Sequence, residues 1–123
     1  MSRVPDELRN RTKDFAGAAI RLYRALPTSA RDVQVLSHQL LRSATSVAAN
    51  IREASRARSD EEFVSKVAIA LQEADESQLW MELLQDECGV SDNLIKELLL
   101  ESDELISIFV TIIHRTRSNN SRG

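Results

Sequence analysis

Six residues of this 123-residue chain combine types and spacing that could do chemistry. Arg42, Ser46, Asn50 and Glu53 recur every three or four residues within LRSATSVAANIREA, Leu41 to Ala54, and Glu73 and Glu76 repeat the spacing farther on. Residues so spaced share one face of a helix. Carboxylates gathered on facing helices, here Glu53, Glu73 and Glu76, could act as general acid and base or hold a metal ion. The same set suits a structural role. Alanine and serine between the polar positions let two helices approach closely, and Arg42 and Asn50 would then hydrogen-bond Glu73 or Glu76 across the gap. A partly buried carboxylate requires such a partner.

Ligand type decides against the metal. A ferritin-like site takes Glu-x-x-His from two helices, whereas Glu73-x-x-Glu76 contains no histidine. His38 and His114 stand alone and read as surface or interface histidines. Cys88, the single cysteine, cannot close an internal disulfide and reads as a small core residue at the end of a helix. Trp80 reads as a packing anchor. The chain has no glycine-rich phosphate loop, Gly-x-Ser-x-Gly elbow or paired-cysteine zinc pattern. No catalytic residue, cofactor or metal is assigned, and a non-enzymatic protein is expected.

The elements that must position these residues are helices. Three glycines and two prolines are too few for a sheet protein's turns, and 42% apolar content in one chain of this length fits a single domain. Leu8, Thr12, Phe15, Ala19, Leu22 and Leu26 form one stripe, started at Pro5 with Asp6 and Glu7 and ended by Pro27. A second stripe runs from Val33 to Ala54, with Ser29 as its expected cap and Asp32 near the positive end of the dipole. Ser59 and Glu62 make a capping box before Phe63, Val67, Ala70, Ala74, Ser77, Met81, Leu84 and Cys88, which follow heptad spacing. Gly89 closes that helix and Ser91 caps the next, whose apolar face from Ile95 to Ile113 is too broad for one seam. Helices are expected at about residues 6–26, 30–56, 60–88 and 92–116, joined by short links into an antiparallel up-down-up-down four-helix bundle over residues 1–117. Residues 118–123 lack periodicity and read as a disordered tail.

Charge divides the chain. Residues 1–58 carry 11 Lys/Arg against 5 Asp/Glu, while residues 59–123 carry 5 against 14, a net +6 and −9 that sum to the overall −3. The expectation is that basic and acidic helices face one another or a neighbouring subunit, or that the basic half attracts nucleic-acid phosphates. The longest uncharged apolar run, Leu105 to Ile113, is far short of the roughly 20 residues of a membrane span, and no secretory segment precedes the first helix. A cytoplasmic protein without a membrane segment is expected.

LRSATSVAANIREA resembles the Leu-Arg-x-Ala-x-Ser-x-x-x-Asn-Ile-x-Glu segment of the bacterial 23S ribosomal RNA intervening sequence family, on Arg42, Ala44, Ser46, Asn50, Ile51 and Glu53. FVSKVAIALQEADESQLWMELL is similar to that family's third helix at Phe63, Ala70, Leu71, Glu73, Glu76 and Leu83. Where many members have glycine after the first segment, this chain has Ala54, so helix two is expected to run farther. The resemblance implies a left-handed four-helix bundle assembled into a ring, with homopentamers in the family, and a distant similarity to the accessory proteins of diversity-generating retroelements. Those are basic pentamers that bind nucleic acid and a reverse transcriptase. This chain is acidic overall, so nucleic-acid contacts would rest on a local patch from Arg21, Arg24, Arg52, Arg56 and Arg58. The leading expectation is a homo-oligomeric, pentameric scaffold whose main partner is itself. A nucleic-acid-binding accessory protein is the alternative, and an enzyme with a carboxylate site comes third.

Overall fold

The computed structural model describes residues 2–27 and 29–122, with side chains through Asn120. It is all-α: α1 (Asp6–Ala25), α2 (Arg31–Ser55), α3 (Asp60–Asp86) and α4 (Asp92–Arg122) form a four-helix bundle. Each helix packs on its neighbours in chain order, and α1 closes on α4 with the thinnest pairing of the set. Cross-helix contacts fix the directions. Arg42 meets Glu76 while Glu53 meets Lys66, and Gln78 meets Asp103 while Gln85 meets Asp92, so α2–α3 and α3–α4 are antiparallel.

Local chemistry sets most helix ends. The Ser59 hydroxyl accepts the Glu62 N–H at 3.1 Å, as the capping pattern requires. The Glu62 side chain turns to Arg58 at 3.5 Å. Gly89 takes a φ of 69°, which a β-carbon would strain, and the Val90 N–H reaches back over it to the Leu84 carbonyl at 3.0 Å. Ser91 accepts from the Asn93 N–H at 3.3 Å at the start of α4.

Two boundaries differ from expectation. Ala30, not Ser29, is the N-cap of α2 and supplies no side-chain bond; Asp32 inside the first turn accepts the Val33 N–H at 2.8 Å instead. A carboxylate there serves both the free N–H groups and the helix dipole, which removes the need for a hydroxyl cap. Helix two ends at Ser55, with Arg56 as its C-cap, within one residue of the expected end. At the other end of the bundle, α4 continues to Arg122, through the segment expected to be a disordered tail, and Gly123 lies outside the described residues. Helix extension adds one hydrogen bond per residue once a helix exists, and Arg115 and Arg117 complement the dipole at this end.

The core follows the sequence stripes. Phe15, Leu22, Leu40, Ala44, Val47, Ile51, Val67, Ala70, Ala74, Met81, Leu84, Ile95, Leu105 and Phe109 are buried in one cluster. In the last turns the buried residue is Ile113, while Ile112 lines a cleft. Val4 joins the core from outside any helix. It is held there because Arg3 donates its N–H to the Ser55 carbonyl at 3.1 Å and its Nε to the Ala57 carbonyl at 3.0 Å.

Candidate functional site

The α2–α3 interface positions the sequence-predicted polar set. Its floor is small: Ser43, Ala44, Val47, Ala70, Ala74 and Ser77 are all fully buried. Small residues let the helix axes approach, so short side chains meet directly. The hydroxyls of Ser43 and Ser77 lie 2.8 Å apart at the centre, and each also reaches its own helix, Ser43 to the Leu40 carbonyl and Ser77 to the Glu73 carbonyl. Which hydroxyl faces which depends on the register between helices.

Arg42 spans the outer edge of this seam. Its Nη1 donates to Glu73 and its Nη2 to Glu76, both at 3.3 Å, and its Nε reaches Gln39 at 3.4 Å. The Glu73 side chain is only 15% exposed, against 46% for Glu76. Burial, then a hydrogen bond shared with Glu76, pushes the Glu73 carboxyl above the ordinary carboxylate range, while Arg42 and the Ser46 hydroxyl oppose the rise. The cluster therefore sets one half-exposed and one nearly buried carboxylate under a single guanidinium.

Asn50 is not part of this bridge. Its Nδ2 donates to the Ser46 carbonyl at 2.9 Å and to the Ser46 hydroxyl at 3.1 Å, both on its own helix. An amide four residues beyond a serine satisfies its donor locally, and that short-range partner displaces the expected cross-helix one. Glu53 also stands apart from Glu73 and Glu76 and lies 3.5 Å from Lys66. The expected six-residue network is thus a bridge of Arg42, Glu73, Glu76 and Ser46, an intrahelical Asn50–Ser46 pair and a separate Glu53–Lys66 pair.

The five arginines of the expected basic patch are likewise divided. Thr12 and Lys13 share a cleft with Ala48 to Arg56 while Tyr23 and Leu26 share one with Gln34 and Ser37, so α1 and α2 are antiparallel; Arg52 and Arg56 lie beside the N-terminal half of α1, whereas Arg21 and Arg24 are on its C-terminal half. The 12 residues from Arg9 to Arg21 span about 18 Å of helix. Arg58 sits in the α2–α3 turn beside Glu62. In place of one surface, the fold builds a cleft of about 400 Å³ lined by Arg9, Thr12, Lys13, Ala48, Ala49, Arg52, Glu53 and Arg56. Arg9 and Lys13 were not singled out in the sequence; their four-residue spacing, matching that of Arg52 and Arg56, was the available signal.

The remaining residues of interest are scattered. His38 lines a shallow cleft with Tyr23, Arg31 and Gln34, and His114 is exposed on α4. Cys88 is half-buried rather than core, with its thiol 3.6 Å from the Asp32 carboxylate. Burial and then Asp32 push that thiol up, which keeps it protonated. Among the described residues no three His, Cys, Asp or Glu side chains are placed to hold a metal ion, and no helix is long and apolar enough to cross a membrane.

Fold and polar pairing together define an all-α four-helix bundle in which ion pairs join α1 to α4 and α2 to α3. The chain belongs to the family of 23S rRNA-intervening sequence proteins, whose model matches residues 7–111. It is similar to a protein of unknown function from the S23 ribosomal protein family of Bacteroides thetaiotaomicron, solved by crystallography. That protein is 34% identical, and the two superpose with a TM-score of 0.81 over 89% of this chain and 96% of the other. The comparison with curated proteins finds no match.

Proposed function

We propose that this protein is a non-catalytic, cytoplasmic, homo-oligomeric scaffold, with a pentameric ring as the assembly implied by its family resemblance. One observation carries the proposal: α4 keeps apolar side chains wet on both flanks of its buried seam. Leu94 and Ile108 share the seven-residue stripe of Glu101, which faces α1, and Ile108 and Ile112 line the α1–α4 cleft. On the other flank, Val110 shares the stripe of Asp103, which faces Gln78 of α3, and Leu100 is more exposed still. Leu94, Leu100 and Val110 are 49%, 57% and 50% exposed, more than a lone bundle helix need leave in water. Two different flanks favour a heterologous contact, the kind that closes rings. The acidic excess of α3 and α4 and the basic excess of α1 and α2 favour unlike faces meeting.

Static light scattering at micromolar concentration tests the proposal. The expected mass is five times the 13.8 kDa chain, and Leu100→Glu with Val110→Glu should reduce it while leaving helicity intact. A parent protein that is monomeric under these conditions ends the scaffold reading. The nucleic-acid alternative loses its continuous five-arginine surface, since Arg21 and Arg24 stand apart from Arg52 and Arg56.

A further inference from the structure

We infer that the α1–α2 cleft is a binding site for a compact anion carrying two or three linked phosphoryl groups. Two like-charged pairs face it, Arg9 with Lys13 from α1 and Arg52 with Arg56 from α2. Each pair is spaced by four residues, and like charges at that spacing repel on a helix surface. Opposing the two pairs across one cleft adds to the repulsion. The helix dipole accounts for Arg52 and Arg56 near the end of α2, but it gives no such account of Arg9 and Lys13 in the first half of α1.

The protein itself does little to neutralise this set. The side chains of Lys13, Arg52 and Arg56 have no ion-pair or hydrogen-bond partner among the described residues. Glu53, the one carboxylate lining the cleft, is beside Lys66 of α3. Arg9 pairs with Asp6 through Nη2, yet its Nε is shut off from solvent without an acceptor. Ala48 and Ala49, with the Thr12 hydroxyl already donating to the Arg9 carbonyl, leave a small-residue floor on which such an anion can approach both helices.

Extent favours a short ligand over a polymer. Farther along the α1–α2 boundary the next cleft is lined by Tyr23, Gln34, Val35, His38 and Gln39 with Arg31 as its one arginine, so the dense charge is confined to one end. A nucleic-acid strand is gripped by cations repeated along its path. Four cations around about 400 Å³ match a di- or triphosphate chain. The α4 residues that carry the oligomer proposal are not among those lining this cleft, so titration of the cleft and measurement of mass read the two proposals separately.

Calorimetric titration of the 123-residue chain with inorganic tripolyphosphate and with ATP tests it, at about 25 mM and about 150 mM salt. Saturable binding is expected, weaker at the higher salt, and reduced at least about tenfold by Arg52→Gln or Lys13→Gln but not by Arg24→Gln. All three residues are exposed, so folding of the variants is checked by helicity rather than assumed. Equal affinity for the two probes places recognition on the phosphoryl chain; ATP binding at least about tenfold tighter extends the site to a nucleoside. Absence of binding at about 5 mM probe in low salt overturns the inference. So does equal weakening by Arg24→Gln, or binding of a single-stranded oligonucleotide that tripolyphosphate does not displace.

Discussion

The α2–α3 and α1–α4 seams solve the same packing problem in opposite ways. Between α2 and α3 the facing residues are small, the helices close on one another, and two serine hydroxyls meet at the centre. Between α1 and α4 the pairing is thin, and a cleft of about 250 Å³ opens at one end, lined by Val4, Leu8, Phe63, Ile108 and Ile112. There a single long side chain spans the gap. Arg11 donates its Nη2 to Glu101 at 2.6 Å and to Glu104 at 2.7 Å, and its Nε to Glu101 at 3.0 Å. The Glu101 hydrogen bond is the main reason the guanidinium is held more firmly protonated than usual. An arginine fork edges each seam; the difference lies between the helices, where small buried residues close the α2–α3 seam and a cleft leaves the α1–α4 seam open.

This contrast is broken most severely by enlarging the tight seam. Ala74→Leu adds three heavy atoms at a fully buried position and is expected to cost about 1–3 kcal/mol, read as a lowered urea midpoint. At the open seam, Arg11→Met keeps the apolar stem and removes the fork. The expected loss is about 1 kcal/mol, held down by the exposure of Glu104, and amide exchange in α1 should quicken.

Glu73 sharpens the comparison through pH. A carboxyl raised in the folded state binds its proton more tightly there than in the unfolded chain. Its contribution therefore favours folding below the unfolded value, about 4, and is lost as pH rises through the folded value. Glu73→Gln should remove that loss, so the parent's stability relative to the variant should decline from acid toward neutral pH in urea melts. A relative gain for the parent would mean that Arg42 outweighs burial. The smallest change is expected from Asn50→Leu, about 0.5 kcal/mol or less, because its amide bonds only its own helix. A thermal midpoint well below the parent's would restore Asn50 to the cross-helix network.

The helices and the tight seam were legible because their signals are local. The Ser59 cap, the Gly89 turn and the stripe from Phe63 to Leu84 each lie within one or a few turns of chain, where spacing alone determines the face. The Arg42 bridge could also be anticipated, since it joins two neighbouring helices through a short turn. What stayed hidden depends on register or on distant chain. The Arg11 fork joins residues 90 positions apart, and nothing near Arg11 distinguishes it from other surface arginines. Asn50 has a nearby and a distant acceptor available, and periodicity does not rank them. The arginines share a charge but not a place, because antiparallel packing brings Arg52 to the start of α1 and carries Arg24 to the far end.

Sequence separation also gives the two seams different histories in time. Arg42 and Glu73 are 31 residues apart across a turn of residues 56–59, while closure of α1 on α4 waits for chain 90 residues downstream. Loop-closure entropy rises with the logarithm of that length, so the α2–α3 hairpin is expected to form early and the α1–α4 contact late. Stopped-flow kinetics would then read Ala74→Leu in the refolding rate and Arg11→Met in the unfolding rate. The clefted seam would be the last contact to form and the first to be lost.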